Sequence, residues 1–241
     1  MEYYAESSIG KVRKENQDYF YIPTLEDDLK LFIIADGMGG YNGGKIASEL
    51  AVDNVVQYIK NNFDEENIEQ IVKKSVTYAN KEVYEKSIQD KELEGMGTTI
   101  VACLIYNNKV YIGHIGDSRI YRLRKNVLRQ VTKDHSYVEK LVRDGTITRQ
   151  EAVNHPDKNM LTKALGCTPF VEPDITIKTF LKNDILVLTT DGLTNMITEE
   201  KMFKAIQENS HNLEFVAKEL INEANFNGGM DNITVIIIKN Q

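Results

Sequence analysis

Four aspartates occupy similar positions in the sequence, each beside a run of apolar residues that predicts a strand. Asp36 and Asp191 each end such a run and are followed directly by glycine. Asp117 ends a third run, and Asp231 precedes the last one. Aspartate is a common turn residue, so any one of these positions alone could reflect turn formation. Four carboxylates brought together by converging strand ends would repel one another unless cations neutralised them.

The residue types at these positions indicate which cations the site would prefer. None of the four is histidine or cysteine, and carboxylate oxygens select Mg²⁺, Mn²⁺ or Ca²⁺ over zinc. The glycine after Asp36 would let its own backbone carbonyl approach an ion closely, because it carries no side chain. The sequence therefore predicts a divalent-cation centre at the ends of several strands.

Six segments of the chain resemble, in order, the motifs of the metal-dependent protein phosphatases of type 2C. The first is Ile-Gly-Lys-Val-Arg-Lys-Glu-Asn-Gln-Asp, and the second, in its bacterial form, is Ala-Asp-Gly-Met-Gly-Gly. The others are Gly-Met-Gly-Thr-Thr, Gly-Asp-Ser-Arg, Leu-Thr-Thr-Asp-Gly and Asp-Asn-Ile-Thr-Val. They lie at residues 9–18, 35–40, 95–99, 116–119, 188–192 and 231–235. One motif alone would be a weak signal, whereas six in the family's order across nearly the whole chain form a strong one.

The resemblance implies a set of metal ligands. Asp36 would bridge two metal ions, and the Gly37 carbonyl would bind the second of them. Asp191 and Asp231 would bind the first ion. Asp18 would act mainly through metal-coordinated water.

Three further residues have roles implied by the resemblance. Asp117 would hold, together with Asp191, a third and weaker ion found in bacterial members. Arg13 would clamp the substrate phosphate, for which the planar guanidinium fork is well suited. Asn232 would orient the site. The catalytic residues implied are Arg13, Asp36, Asp231 and Asn232.

The resemblance also implies an activity, the hydrolysis of phosphoserine and phosphothreonine in proteins with bound Mn²⁺ or Mg²⁺. Water between two such ions loses a proton readily and would attack phosphorus in line. The ions and Arg13 would spread the charge on the transferring oxygens. The substrates would be phosphorylated proteins, and the enzyme would oppose a cognate serine/threonine kinase, in a bacterium. The chain has no Cys-x5-Arg motif of the cysteine phosphatases.

Four positions depart from the family's pattern. Met38 stands where many eukaryotic relatives have a histidine proposed as general acid, and methionine cannot donate a proton. Tyr41 and Lys45 stand where bacterial members often have histidine and glutamate. We therefore expect metal-coordinated water, not a side chain, to protonate the leaving group. Lys163 stands where an arginine is usual, and we expect little effect.

The elements that carry these residues are closely spaced strands, many joined by short turns. Asn107-Asn108 is a good hairpin signal between two of them. Short connections between β-branched strands favour antiparallel sheets. Strands are predicted over residues 19–22, 29–35, 98–106, 109–115, 119–123, 127–132, 175–180, 185–190 and 233–238.

Helices are predicted in two pairs, one early and one late. The early pair covers residues 44–62 and 65–91, and Thr198 and Asn212 are suitable N-caps for the late pair. This arrangement predicts an α+β fold, a four-layer α-β-β-α sandwich of two antiparallel sheets flanked by paired helices. The resemblance implies the same fold.

The whole chain, residues 1–241, is predicted to form a single catalytic domain. Residues 133–167 are polar, interrupt the succession of strands and contain two short predicted helices. Thr148-Arg-Gln-Glu151 is a capping-box pattern within them. We interpret this segment as a flap inserted at one edge of the domain and facing the substrate.

Composition excludes several other classes of function. The chain has 29 basic and 36 acidic residues, a net charge of −7, which disfavours nucleic acid or anionic membrane as a partner. Cys103 lies in an apolar run and Cys167 has no metal-binding partner spacing, so a reducing compartment is expected. No signal peptide or apolar run of about 20 residues is present. These features predict a cytoplasmic protein, which we expect to be a monomer.

Two alternatives from other classes were weighed. Residues 39–45 fit the G-x-x-x-x-G-K pattern of a P-loop nucleotide binder, but Ile46 follows in place of serine or threonine. A catalytically silent, phosphatase-like binding module would have lost one of the ligand carboxylates, and all are present. Within the phosphatases, a regulator acting on one anti-sigma-type partner stays open.

Overall fold

Strands and helices cover most of the described chain. The structure, a computed structural model, describes residues 1–24 and 29–241, and for residues 40–42 it describes the backbone alone. The strands are β1 (Glu2–Ser8), β2 (Asp18–Tyr21), β3 (Lys30–Met38), β4 (Gly97–Thr98), β5 (Ile100–Tyr106), β6 (Lys109–Ile115), β7 (Arg119–Arg124), β8 (Val127–Gln130), β9 (Asp174–Thr179), β10 (Ile185–Thr189) and β11 (Ile233–Lys239). The helices are α1 (Gly40–Asn62), α2 (Ile68–Gln89), α3 (Tyr137–Arg143), α4 (Arg149–Val153), α5 (Asp191–Thr194), α6 (Glu199–Asn209) and α7 (Leu213–Phe226).

The strands form two sheets. One has the order β1-β11-β10-β7-β8, and the other has the order β2-β3-β5-β6-β9 with β4 paired to β3. Every pairing between described strands of these sheets is antiparallel. The predicted antiparallel sheets are therefore confirmed, and the parallel βαβ unit that a P-loop fold requires is not part of this architecture.

Three apolar layers hold the sheets and helices together. Phe32 and Ile34 of β3 face the other sheet, whereas Leu31 and Ile33 of the same strand face α1 and α2. On the opposite side, α6 and α7 cover the five-stranded sheet. Because both faces of the central strands are buried, these strands are continuous apolar runs without alternation. The predicted four-layer α-β-β-α sandwich is confirmed.

The turns and helix caps follow the local sequence. Asn107 and Asn108 have φ angles of 46° and 57°, as a two-residue hairpin turn of type I′ requires. Thr198 accepts a hydrogen bond from the Lys201 N–H at the start of α6, and Asn212 does the same at the start of α7. Both predicted N-caps are confirmed.

The structure shifts several predicted element ends by a few residues, divides the predicted strand 98–106 into β4 and β5, and adds one strand, β1. β1 was not predicted, because Glu-Tyr-Tyr-Ala-Glu-Ser-Ser is neither an apolar run nor a regular alternation. Its pairing with β11 forms the edge of the sheet. Helix α1 begins at Gly40, four residues before the predicted start. Gly39, with a φ of 113°, makes the turn that leads into it.

Residues 133–167 contribute no strand to either sheet and contain helices α3 and α4. Neither helix has a fully buried residue. The predicted capping box of α4 is present: Thr148 and Glu151 each bond to the other's backbone N–H. Within the described residues, no helix combines the length and apolar character that crossing a bilayer requires.

Candidate metal centre

Asp18 opens β2 and lies opposite Asp36 of β3 in the sheet register. It is buried, and its Oδ2 atom accepts hydrogen bonds from the hydroxyls of Thr190 and Thr234 at 2.9 and 2.6 Å. The other oxygen, Oδ1, is buried without a hydrogen-bond partner among the described residues. Burial raises the pKa of Asp18 to about 7, although the two hydroxyls lower it. The unpaired oxygen suits a bound cation or water on such a cation, since buried acceptors are rarely left unsatisfied.

The backbone around Asp36 is held by the segment that follows β4. The Asp36 N–H donates to Thr99 Oγ1 at 2.9 Å, and its carbonyl accepts from the Thr99 N–H and the Thr98 hydroxyl, both at 2.9 Å. Burial raises the pKa of the Asp36 carboxyl well above its ordinary value, and nearby negative charges raise it further. In decreasing order of effect, these charges are on Asp18, Asp191, Asp117 and Asp231. The five carboxylates therefore share one space.

Two glycines let backbone segments of the centre approach more closely than a side chain would allow. A Cβ atom on Gly37 would lie 2.0 Å from the carbonyl oxygen of Gly44. A Cβ atom on Gly192 would lie 1.9 Å from the carbonyl oxygen of Asn232. Only glycine fits at either position, which explains why each ligand aspartate of the two Asp-Gly pairs is followed by glycine.

Asp191 and Asp231 bring carboxylates from the five-stranded sheet side. Asp191 is the first residue of α5, and Asn195 Nδ2 donates to its Oδ2 at 3.0 Å. Burial raises the pKa of Asp191, and the charge of Asp231 adds to the effect. Asp231 Oδ2 accepts a hydrogen bond from Arg13 Nη2 at 2.7 Å. The predicted phosphate clamp and a predicted metal ligand are thus in direct contact.

Asn232 holds the loop that carries Arg13. Its side chain is buried, its Oδ1 accepts from the Gln17 N–H at 2.8 Å, and its Nδ2 donates to the carbonyls of Ile9 and Glu15 at 3.0 and 2.9 Å. Three hydrogen bonds from one amide fix the course of the loop on both sides of Arg13. Asn232 therefore fixes the loop that carries Arg13, and its role in orienting the site stays a prediction.

Asp117 lies at the end of β6, after Gly116, whose φ angle is 104°. Burial raises the pKa of Asp117 to about 8, and the charges of Asp191 and Asp134 add to the effect. Asp117 therefore faces Asp191, the residue with which it was predicted to share an ion.

The predicted residues meet in one cleft of about 850 Å³. Asp18 lies buried behind its lining. Asn159 and Leu161, from residues 133–167, also line the cleft. The predicted residues that line it are Arg13, Asp36, Gly37, Asp117, Asp191, Asp231 and Asn232.

The donor set fits hard divalent ions in an open site. Within the described residues, no group of three or more acidic, histidine or cysteine side chains is arranged to hold a metal ion on its own, so backbone carbonyl and water would have to complete the coordination. Mg²⁺ commonly binds through one or two carboxylates and keeps several waters. Three features match that kind of site. They are the carboxylate oxygens around a wide cleft, the backbone carbonyl of Gly37, which has no side chain beside it, and the buried Oδ1 of Asp18.

The structure describes the side chains at three of the four positions that depart from the family pattern. The thioether of Met38 lines the cleft. The side chain of Tyr41 lies outside the described residues. Lys45 Nζ is 3.6 Å from Glu15 Oε1, so its charge is partly offset by a residue of the cleft wall. Lys163 Nζ is 3.1 Å from Asp174 Oδ1.

Several residues that support the centre were not predicted from the sequence. Thr190 and Thr234 bind Asp18, and Arg119 binds Asp134 through Nε and Nη2, with distances between 2.6 and 3.0 Å. Threonine in a strand has an ordinary packing explanation, so only the folded register reveals these hydroxyls as donors. The adjacent Thr-Thr in the Leu-Thr-Thr-Asp-Gly motif was the available signal.

Comparison with known proteins places the chain in a family. The profile described as protein phosphatase 2C matches residues 10–222. The serine/threonine phosphatase stp of Listeria monocytogenes serotype 4b (strain F2365) is 40% identical over 233 residues, covering 95% of this chain and 92% of that protein. Protein phosphatase PhpP of Streptococcus pneumoniae serotype 2 (strain D39 / NCTC 7466) is 35% identical over 234 residues, 96% of this chain and 94% of that one.

Solved structures show the same architecture. The S. agalactiae serine/threonine phosphatase has a TM-score of 0.92 and 35% identity, covering 100% of this chain and 99% of that one. The catalytic domain of the phosphatase PstP, solved in complex with two manganese ions, has a TM-score of 0.87 and 33% identity, covering 98% and 96% of the two chains. The chain belongs to the protein phosphatase 2C family.

Proposed function

We propose that this protein is a metal-dependent serine/threonine phosphatase that hydrolyses phosphoserine and phosphothreonine at the cleft described above. The observation that carries the proposal is the meeting of five aspartates and one arginine in that cleft. Its relatives named as serine/threonine phosphatases support the reaction, and PstP with two manganese ions supports the cofactor. Mn²⁺ or Mg²⁺ is the cofactor of this enzyme.

Five aspartates and one carbonyl would hold the ions. Asp36, the Gly37 carbonyl, Asp191 and Asp231 line one cleft and would hold two core ions. Asp36, whose carboxyl is affected by charges from both sheets, would be the ligand common to the two ions. Asp18 would reach them through water, in keeping with its position behind the cleft lining. When bound, the ions lower the pKa of water to near neutrality and offset charge on the phosphoryl oxygens.

A third, weaker ion would be shared by Asp117 and Asp191. The proximity of the two carboxylates, which raises the pKa of Asp117, supports this assignment. Two carboxylates and water would bind more weakly than the ligands of the core centre, since affinity depends on the number of charged ligands.

Arg13 would bind the phosphate of the substrate. Its side chain is 54% exposed and is held to Asp231 through Nη2, so other guanidinium N–H groups can donate to phosphate oxygens. Asn232 keeps the loop in place but touches backbone groups rather than the cleft's centre. It is a positioning residue for Arg13.

Residues 133–167 would form a flap that faces the substrate protein, within a single catalytic domain of residues 1–241. Asn159 and Leu161 on the cleft wall support this role. We further propose a monomer that acts in the cytoplasm against a cognate serine/threonine kinase. The buried thiol of Cys103, whose pKa is raised by burial, is a structural residue consistent with a reducing compartment.

Phosphate release from a phosphothreonine peptide tests the proposal. The protein would be assayed with Mn²⁺, with Mg²⁺ and with excess chelator, beside Asp231→Ala and the control Asp53→Ala, which removes a carboxylate from the exposed side of α1. Release should require metal and fall at least about a hundredfold in Asp231→Ala, while Asp53→Ala stays close to the parent. Folded parent protein that releases no phosphate with either ion would contradict the proposal and favour a silent binding module.

A further inference from the structure

His135, five residues after the end of β8, contacts the turn that carries Asp117. Its ring Nδ1 accepts a hydrogen bond from the Gly116 N–H at 3.1 Å, and its own N–H donates to the Gly116 carbonyl at 2.8 Å. One residue thus satisfies both backbone polar groups of Gly116, the residue before Asp117. The preceding residue, Asp134, binds Arg119 at the other end of the same turn.

Gly116 needs such a partner because its backbone is buried in an unusual conformation. A Cβ atom there would lie 2.6 Å from the Thr99 side chain, and the φ angle of 104° favours glycine. A buried N–H without an acceptor is costly. The Nδ1 atom of His135 is the acceptor for this N–H, so the ring determines whether the turn can keep its shape.

His135 also holds the segment of residues 133–167 that borders the cleft. Its carbonyl accepts from the Thr162 N–H at 2.7 Å, and Ser136 forms a bridge with Leu161. Leu161 and Asn159 line the cleft. The Asp117 turn and the cleft-lining segment are therefore joined through one residue.

The surroundings of the ring fix its orientation. It is 9% exposed and stacks on His114, with ring centroids 4.8 Å apart. Its Nε2 is 3.2 Å from Asp174 Oδ2 but is buried without a well-aligned hydrogen bond among the described residues, and Lys163 binds the other oxygen of Asp174 at 3.1 Å. Nδ1 accepts from the Gly116 N–H, so in the neutral ring the proton is on Nε2, on the side of Asp174.

We propose that His135 is a positioning residue that couples the Asp117 ion to the cleft-lining segment of residues 158–163. Its ring binds Gly116 and its carbonyl binds Thr162. His135 therefore fixes the position of the Asp117 carboxylate relative to this segment. Binding of the weak ion at Asp117 then orders residues 158–163, and ordering of that segment strengthens ion binding by the same factor, since coupling is reciprocal. The inference rests on the proposed role of Asp117.

The test compares two substitutions, each of which places an amide at the position of one of the two ring nitrogens. In His135→Asn the amide oxygen lies where Nδ1 was and can accept from Gly116. In His135→Gln the amide lies where Nε2 was, and Gly116 loses its acceptor. Two readouts independent of turnover are measured on the full chain: Mn²⁺ binding by calorimetry, and amide hydrogen exchange of residues 158–163 with and without Mn²⁺.

We expect His135→Gln to weaken the weakest Mn²⁺ site about tenfold, the effect of one lost buried hydrogen bond. The two tighter sites should change far less. Exchange of residues 158–163 should become faster, and its slowing by Mn²⁺ should disappear. His135→Asn should remain within about threefold of the parent in both readouts, because it keeps the acceptor.

Several results would overturn the inference. The first is that both variants lose thermal stability equally while their weak Mn²⁺ site and their hydrogen exchange stay like those of the parent. The second is that only one of the two readouts changes. The third is that the parent protein binds only two ions. If His135→Gln fails to fold, Asp174→Asn replaces it: both readouts should shift in the same direction by less, and no shift in either contradicts the coupling. A parent that binds Mn²⁺ but releases no phosphate disproves the proposed function separately, since neither readout requires turnover.

Discussion

The carboxylate centre and residues 133–167 border the same cleft but are built in opposite ways. Asp36 lies on β3, a strand packed on both faces, and its peptide groups are bonded to Thr98 and Thr99. Helices α3 and α4 of the insertion have no fully buried residue. Local opening requires little energy where little apolar surface is buried. One wall of the cleft is therefore rigid and the other can adapt.

The polar interactions are also buried in the carboxylate centre and exposed in residues 133–167. In the centre, buried hydroxyls and amides bind Asp18 and the loop around Arg13. In the insertion, the ion pair of Arg149 with Glu139 spans 3.3 Å with the arginine side chain 77% exposed. An exposed pair of this kind contributes about 1 kcal/mol at most. A centre that holds ions needs fixed ligands, whereas a surface that meets different proteins benefits from adaptability.

Within the carboxylate centre, removing the proposed bridging carboxylate and removing the proposed weak-site carboxylate should give the largest contrast. Asp36→Asn should lower phosphatase activity at least about a thousandfold, since it removes the proposed bridging ligand. Asp117→Asn should lower activity only about tenfold to a hundredfold and keep the two core ions. Activity assays combined with Mn²⁺ counting distinguish the two. Equal losses of activity and metal would contradict the separation into core and weak sites.

The stability of the metal-free protein should fall as pH rises. Asp18 and Asp117 have folded-state pKa values of about 7 and about 8, above the ordinary value of about 4. Between about pH 4 and 8 these two carboxyls keep protons in the folded protein that they lose in the unfolded chain, so their contribution to the free energy of unfolding decreases as pH rises. Burial lowers the pKa values of His114 and His135, which acts in the opposite direction below about pH 6.5. The decrease in stability should therefore be steepest between about pH 6.5 and 8.

Urea unfolding in chelator at pH 5, 6, 7 and 8 measures this trend. Excess Mn²⁺ should remove the decrease, because bound ions stabilise the ionised carboxylates. Asp18→Asn should make the profile in chelator flatter, whereas Glu66→Gln, at an exposed position before α2, should leave its slope near that of the parent. Stability that rises steadily from pH 5 to pH 8 in chelator would contradict the raised pKa values.

Shortening the insertion should affect protein substrates more than small ones. Replacing residues 146–157 by a glycine-serine linker removes α4 and leaves His135 and residues 158–163 in place. The KM for a phosphothreonine peptide should rise about tenfold, on the scale of a few lost contacts, while kcat/KM for a small aryl phosphate changes about twofold or less. Equal effects on both substrates would contradict a substrate-facing flap.

Removing equivalent helix caps should give the smallest contrast. Thr148→Ala and Thr198→Ala each remove a side-chain cap that contributes about 1 kcal/mol. Helix α6 buries Met202, Ala205 and Ile206, so Thr198→Ala should lower the Tm by about 2–4 °C. Thr148→Ala should leave the Tm nearly constant and speed hydrogen exchange in α4, because that helix buries no residue. Equal shifts in Tm would show that the insertion unfolds together with the domain.

The α+β sandwich and its layers could be predicted because their signals are local. Apolar runs, the turn at Asn107-Asn108 and the caps at Thr198 and Asn212 each lie within a few residues of the structure they specify. β1 could not be predicted in this way. Its pairing with β11 joins the two ends of the chain, and residues 2–8 carry no strong strand pattern of their own.

The sequence by itself determined the chemistry of the site. The aspartates, Gly37, Arg13 and Asn232 belong to motifs whose residue types specify oxygen ligands, a close backbone approach and a phosphate clamp. Each motif places its predicted ligand or binding residue at a strand end or in a turn. The residues of the centre can therefore be recognised one segment at a time. Their number and kind were sufficient to predict hard divalent ions, and the resemblance of the motifs to those of the type 2C phosphatases implied the phosphoryl substrate.

Only the tertiary structure decided which hydrogen bonds hold those residues in place. Asp18 receives hydroxyls from Thr190 and Thr234, which are 172 and 216 residues away, and Gly116 receives the ring of His135. These contacts depend on sheet register and on the path of the chain between the sheets, and a change of one residue in register would turn each side chain to the opposite face. Support of this kind is set by distances between remote segments, which no local pattern of residues contains.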